Sequence, residues 1–124
     1  MGAEIKFALN GQGQDLFAGI PVSKYDVSLD WYQRLLGCEP SFFPNEVEAV
    51  WQLAEHRFIY IIVVPQHAGH SIQNVMVSEL ETVVFQIAAR GIEFSKQERP
   101  EPNTRKVMYY DPDGNEIGLI HVSA

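Results

Sequence analysis

Two stretches of the chain carry an apolar stripe at helical spacing between the same start and stop signals. In "SKYDVSLDWYQRLLG" (Ser23–Gly37), Leu29, Tyr32 and Leu36 recur three or four residues apart, and Val27, Trp31 and Leu35 widen the face. In "SELETVVFQIAARG" (Ser78–Gly91), Leu80, Val83, Val84, Ile87 and Ala88 form a cleaner stripe. Each opens on a serine with an acidic residue three positions on, Asp26 or Glu81, as in a capping box. Each stops at a glycine suited to the left-handed conformation after a helix end. The pattern predicts helices over Lys24–Leu36 and Glu79–Arg90.

The other apolar segments alternate with period two or form short runs, which predicts strands. "LFAGIPV" (Leu16–Val22) precedes the first helix, and "CEPSFF", "EAVWQLA" and "FIYIIVV" follow it. "IQNVMV" (Ile72–Val77) precedes the second, and "IEFSK", "RKVMYY" and "EIGLIHV" follow it. A β-α-β-β-β unit is therefore written twice, each copy too short to bury its own sheet. The expected organisation is a flexible N-terminal arm, 1–14, with a short strand at Glu4–Leu9, then one domain over 15–124. Module one occupies 15–65, module two 70–122, and Gln66–Gly69 joins them. Between the last two strands, Asp111-Pro112-Asp113-Gly114-Asn115 has the residues of a tight turn. Gly118 then interrupts an alternating strand, which raises the question of what it makes room for.

Composition narrows the partners. The chain has 124 residues, enough for one core without staples, with 46% hydrophobic and 20% charged residues. A formal charge of −7 argues against nucleic acid and against an anionic membrane, and favours a cationic ligand. The single Cys38 excludes an internal disulfide, so a reducing cytoplasm is the expected compartment. No basic-then-apolar leader opens the chain and no apolar run is long enough to span a bilayer. Cys38, at a strand start, reads as a small core thiol.

The double βαβββ pattern, the "PVSKYDVSLDWYQRLLG" opening and the "DPDGNEIGLI" ending resemble the vicinal oxygen chelate superfamily over Asp15 to Val122. That superfamily includes glyoxalase I, extradiol dioxygenases, fosfomycin-modifying transferases and bleomycin-resistance proteins. The resemblance implies an α+β fold: two paired βαβββ modules forming a curled mixed sheet around a cleft, with the helices outside. Metalloenzymes of the group hold a divalent ion with His, Gln or Glu at set places on the first and last strands of each module. Carried over, those places fall on Phe17, Ile72, Gly118 and either Tyr60 or Ile62. None is an ordinary ligand, and Gly118 stands where a carboxylate is missing. His70, with His67 three residues before it, is the remaining metal candidate, reached by a two-residue slip. His56 and His121 read as turn and edge residues.

By strand parity, Phe17, Gly19, Pro21, Ile72, Asn74, Met76, Gly118 and Ile120 line the concave side, and Ala18, Ile20, Val75 and Leu119 face the helices. Gln73 falls on the helix side without a rationale. Trp51, Tyr60, Met108 and Tyr109 or Tyr110 are expected to complete an aromatic wall, so the expected ligand-binding set is Phe17, Trp51, Tyr60, Ile72, Asn74, Met108 and Gly118. Simple packing as core or dimer contact is the competing account of these apolar residues. Arg105 and Lys106 form an adjacent cationic pair that reads as a solvated strand start and can also meet a ligand carboxylate.

The expected protein is a homodimer that binds a small organic molecule, one that carries a positive charge, without metal or other cofactor, in the manner of the bleomycin-resistance branch. Two alternatives stay open. One is a glyoxalase- or dioxygenase-like metalloenzyme using His70; the other is a metal-free isomerase or lyase with a tyrosine or histidine as acid–base.

Overall fold

The computed structural model describes residues 6–124. Among the described residues, eight strands and two helices follow one another in the expected order. The first module comprises β1 (Leu16–Val22), α1 (Tyr25–Leu36), β2 (Phe42–Asn45), β3 (Glu48–Ala54) and β4 (Arg57–Val63). The second comprises β5 (Ile72–Met76), α2 (Leu80–Ala89), β6 (Lys96–Glu98), β7 (Thr104–Tyr110) and β8 (Glu116–Val122). The strands divide into two mixed four-stranded sheets, ordered β1-β4-β3-β2 and β5-β8-β7-β6. In each, the outer strand that leads into the helix pairs in parallel with the last strand of its module, and the remaining pairs are antiparallel. The two sheets are the same unit folded twice.

β2 and β6 begin later than the apolar runs suggested, at Phe42 and Lys96. Cys38 is consequently exposed in the connection rather than packed in the core, and it contributes its carbonyl oxygen to the Trp51 indole N–H at 3.0 Å. The strand expected over Glu4–Leu9 lies partly outside the described residues, and within them the chain makes a 3-10 turn at Ala8–Gly11.

One core serves both modules. Ile20, Val22, Ile59 and Ile61 of the first sheet join Val107, Tyr109, Ile117 and Leu119 of the second, with Trp31, Tyr32 and Leu35 of α1 and Leu80 and Ile87 of α2. This is how two sheets too small to stand alone bury their helix-covered faces.

Polar contacts fix how the modules meet. Asp111 Oδ1 accepts the backbone N–H groups of Asp113 and Asn115, which closes the turn on itself. Its Oδ2 accepts the Tyr32 hydroxyl from α1 at 2.7 Å and the Asn115 amide at 2.8 Å. Asn115, fully buried, also donates to the Pro21 carbonyl at the end of β1 and accepts the N–H groups of Gly69 and Ser71. The turn between β7 and β8 therefore clasps β1, α1 and the link between modules. Ser23 joins it: both its N–H and its hydroxyl donate to Asp113. That corrects the expected capping box, since neither helix start has a side-chain cap and the serine serves the other module instead. At the opposite end of α1, the Arg90 guanidinium donates to the carbonyls of Arg34 and Leu35, which are among the acceptors that a helix end leaves open.

Candidate functional site

Each sheet has one face on the core and one face open. On the first sheet, parity puts Phe17, Gly19 and Pro21 of β1 on the open face beside Phe58, Tyr60 and Ile62 of β4. Phe17 and Phe58 stack with centroids 4.4 Å apart and planes within 8° of parallel. Phe42 of β2 meets Phe58 edge-on at 6.4 Å. The Tyr60 ring lies across Gly19, where an added Cβ would fall 2.6 Å from its hydroxyl oxygen, so the glycine is what lets the tyrosine lie flat. Phe17 remains 47% exposed and Phe42 44% exposed, so these rings form an apolar floor with an uncovered side.

The open face of the second sheet is different. Asn74 of β5, Gly118 of β8 and Met108 of β7 stand side by side, as do Tyr110 of β7 and Glu116 of β8. Tyr110 donates its hydroxyl to Glu116 Oε1 at 2.8 Å, and that bond holds its ionisation above the ordinary tyrosine range. Lys106 Nζ stands 3.8 Å from Glu116 Oε2, and Lys96 Nζ lies 5.6 Å from the centre of the Tyr110 ring. Ile72 and Met76, 64% and 67% exposed, flank this polar group.

Of the residues expected to line the ligand, Phe17 and Tyr60 sit on the first open face, and Ile72, Asn74, Met108 and Gly118 on the second. Trp51 is placed otherwise. It points into the core, fully buried against Tyr32, because β3 pairs it with core-facing Ile59. Tyr109 is likewise in the core, edge-on to Phe94, and Tyr110 takes the open face. Gly118 does not open a recess: the space above it is filled by the Asn74 amide and the Lys106 stem. The Arg105–Lys106 pair is split by the strand. Arg105 pairs with Glu81 of α2 and approaches the Phe94 ring, whereas Lys106 turns to the open face. Tyr110, offered as the alternative to Tyr109, and Lys106 of the cationic pair are on the open face, whereas Phe42, Phe58 and Glu116 were not expected there, although alternation from Gly118 already put Glu116 on its face.

The residues present do not suit a divalent ion. Phe17, Ile72 and Gly118 offer no side-chain donor, and Glu116 is shared by Tyr110 and Lys106. Among the described residues no three His, Cys, Asp or Glu side chains come together as a cation site. His70 is exposed before β5, His56 bonds Asp15 at 2.6 Å, and His121 bonds the Val77 carbonyl at 2.9 Å.

Comparison with known proteins adds the following. The model of the Glyoxalase/Bleomycin resistance protein/Dioxygenase superfamily matches residues 14–119. A solved glyoxalase / bleomycin resistance protein from Catenulispora acidiphila DSM 44928 is 47% identical, with a TM-score of 0.86, covering 89% of this chain and 99% of that one. A bleomycin-binding protein complexed with bleomycin is 18% identical, with a TM-score of 0.72 and the same coverage, 89% and 99%. A lactoylglutathione lyase from Agrobacterium tumefaciens is 15% identical, with a TM-score of 0.69, covering 86% of this chain and 91% of that one. No curated protein matches. Among the described residues no helix is long and apolar enough to cross a membrane.

Proposed function

The chain belongs to the Glyoxalase/Bleomycin resistance protein/Dioxygenase superfamily, and from that premise we propose that it binds a small organic molecule without a metal ion. The observation that carries this reading is the aromatic floor of the first module, where Phe17 stacks on Phe58 with Phe42 beside them. Flat exposed rings recognise a planar or apolar body through area and π contacts, and need no metal to do so. The absence of a ligating set at Phe17, Ile72 and Gly118 supports the metal-free form. The acidic surface steers a cationic ligand toward the protein over a Debye length. The protein acts in the cytoplasm, where the exposed Cys38 stays reduced. It works as a homodimer, in which a second copy covers part of the exposed apolar area.

The test is metal analysis of the purified chain, followed by calorimetric titration with zinc, manganese and nickel and a screen of aromatic compounds. We expect no stoichiometric metal, and quenching of intrinsic fluorescence by at least one compound, abolished in Phe17→Ala. Tight one-to-one metal binding would refute the reading. The hydrogen bond from Tyr110 to Glu116 favours one second reading, a metal-free isomerase or lyase in which these groups move a proton. Solvent-deuterium exchange at the α-carbon of enolisable ketones, read by NMR, separates that enzyme from a pure binder.

A further inference from the structure

Gly118 is fully hemmed in. A Cβ built there would run into Asn74 Oδ1 and fall 2.7 Å from Lys106 Cε. Two polar side chains, from the strands on either side of β8, therefore converge over a glycine whose lack of a side chain admits them.

Neither is satisfied by the protein. Lys106 is only 18% exposed along its side chain, yet its sole carboxylate neighbour among the described residues, Glu116 Oε2, stands at 3.8 Å. That is ion-pair range and too long for a hydrogen bond. The other oxygen of Glu116 is taken by Tyr110. Glu98 lies beside Lys106 in the register of β6 and β7, but the two form no ion pair within the described residues. The lysine turns inward over Gly118 instead of outward to the exposed acid. An ammonium has three N–H donors, and here they stay open to water rather than to acceptors of the protein, free to meet a ligand oxygen. The Asn74 amide makes no hydrogen bond among the described residues either, and a half-turn presents its two N–H donors to the same point.

We propose that Lys106 and Asn74 form an oxygen-binding site over Gly118 that takes the carboxylate, or another anionic oxygen, of an organic ligand. The proposal rests on the reading of the chain as a small-molecule binder and names the polar group such a ligand presents to the second module. Long-range attraction and local contact make separate demands here. The net charge of the chain acts at a distance, whereas Lys106 and Asn74 act within hydrogen-bond reach, beside exposed Ile72 and Met76 for the ligand's apolar part. Glu116 remains the local counter-charge, held back from the lysine by its bond to Tyr110.

The experiment titrates the full chain calorimetrically with 2-naphthoate and with its uncharged methyl ester, then repeats both with Lys106→Met and Asn74→Leu. Methionine keeps most of the stem over Gly118 and removes the charge. A hydrogen bond to a charged group supports an expected preference for the acid of about tenfold or more. In Lys106→Met affinity for the acid should fall by about tenfold or more and the preference should vanish, and in Asn74→Leu it should shrink. Circular dichroism establishes that each variant is folded, and should one variant fail to fold, the other carries the test. Equal affinity for acid and ester in the unmodified chain overturns the proposal and leaves the small-molecule reading standing. So does a preference that survives the folded substitutions. Failure of both compounds to bind at millimolar concentration counts against the aromatic floor as well, and removes the proposal with it.

Discussion

Asn115 has no exposure and uses both ends of its amide, accepting from Gly69 and Ser71 and donating to Pro21 and Asp111. Asn115→Ala would leave two N–H groups and a carbonyl short of partners in a partly buried place. We expect a loss of about 3 kcal/mol, read as a lower denaturant midpoint at unchanged slope. Asp111 has a second partner whose effect depends on pH. Burial first, and then the Asp111 carboxylate, push the Tyr32 hydroxyl well above the ordinary tyrosine range. A tyrosine in the unfolded chain ionises near about 10. Below that, both states keep the proton and the bond's contribution is complete. Above it the unfolded state releases a proton that the folded state retains, so stability falls as pH rises. Tyr32→Phe should destabilise at neutral pH and flatten the alkaline decline by up to about 1.4 kcal/mol per pH unit. An unchanged slope between pH 10 and 11.5 in urea unfolding would contradict this. The turn residues themselves were legible, because Pro, Gly and Asn carry their backbone preferences with them. Their partners were not: Tyr32 lies 79 positions from Asp111, and nothing local marks a long-range hydrogen bond.

At the scale of elements, local periodicity decided most of the outcome. Both helices fall within a residue of the predicted bounds, and Leu16–Val22, Glu48–Ala54 and Glu116–Val122 are strands from end to end. The misses have physical reasons. A serine before a helix is a cap only if no better partner competes, and Asp113 competes for Ser23. Trp51 was assigned to the open wall by its chemistry, whereas its pairing with Ile59 turns it to the core. Phe58 and Phe42 went unnoticed because a ring stack needs three strands in register. The helix ends supply a graded test. Gly37 and Gly91 hold φ of 83° and 89°, in the left-handed region that side chains resist. At Gly91 a Cβ meets only Arg34 at 3.6 Å, so Gly91→Ala costs the backbone term alone, roughly 1–2 kcal/mol. At Gly37 the Cβ presses on the Arg90 guanidinium at 3.1 Å and disturbs its grip on the end of α1. Gly37→Ala should therefore lower the melting temperature more than Gly91→Ala. Calorimetric scans showing equal or reversed losses would sink that account of Arg90.

At the scale of the whole molecule, the helix-covered faces of both sheets share one core, whereas Phe17, Phe42, Ile72 and Met76 on the other faces stay substantially exposed. Isolated exposed apolar residues are ordinary, but rings and long aliphatic chains gathered on two sheet faces are a liability for a lone monomer. A ligand the size of an aromatic acid covers only a few of them. A second copy, related by a two-fold axis, covers the same patch on both partners at once, the commonest way such a surface is closed. We expect light scattering at micromolar concentration to return twice the 14.0 kDa chain mass. Met76→Asp places a charge on the outer strand β5 without touching the core, and should shift the mass toward one chain while the helical dichroism is kept. Dimer and site can then be separated. If the second copy walls the ligand's cleft, affinity for 2-naphthoate should fall in Met76→Asp although Lys106 and Asn74 are intact. If each chain holds its ligand alone, affinity should survive. A mass of one chain for the unmodified protein at these concentrations would rule out the homodimer, and the exposed rings would then answer to the ligand alone.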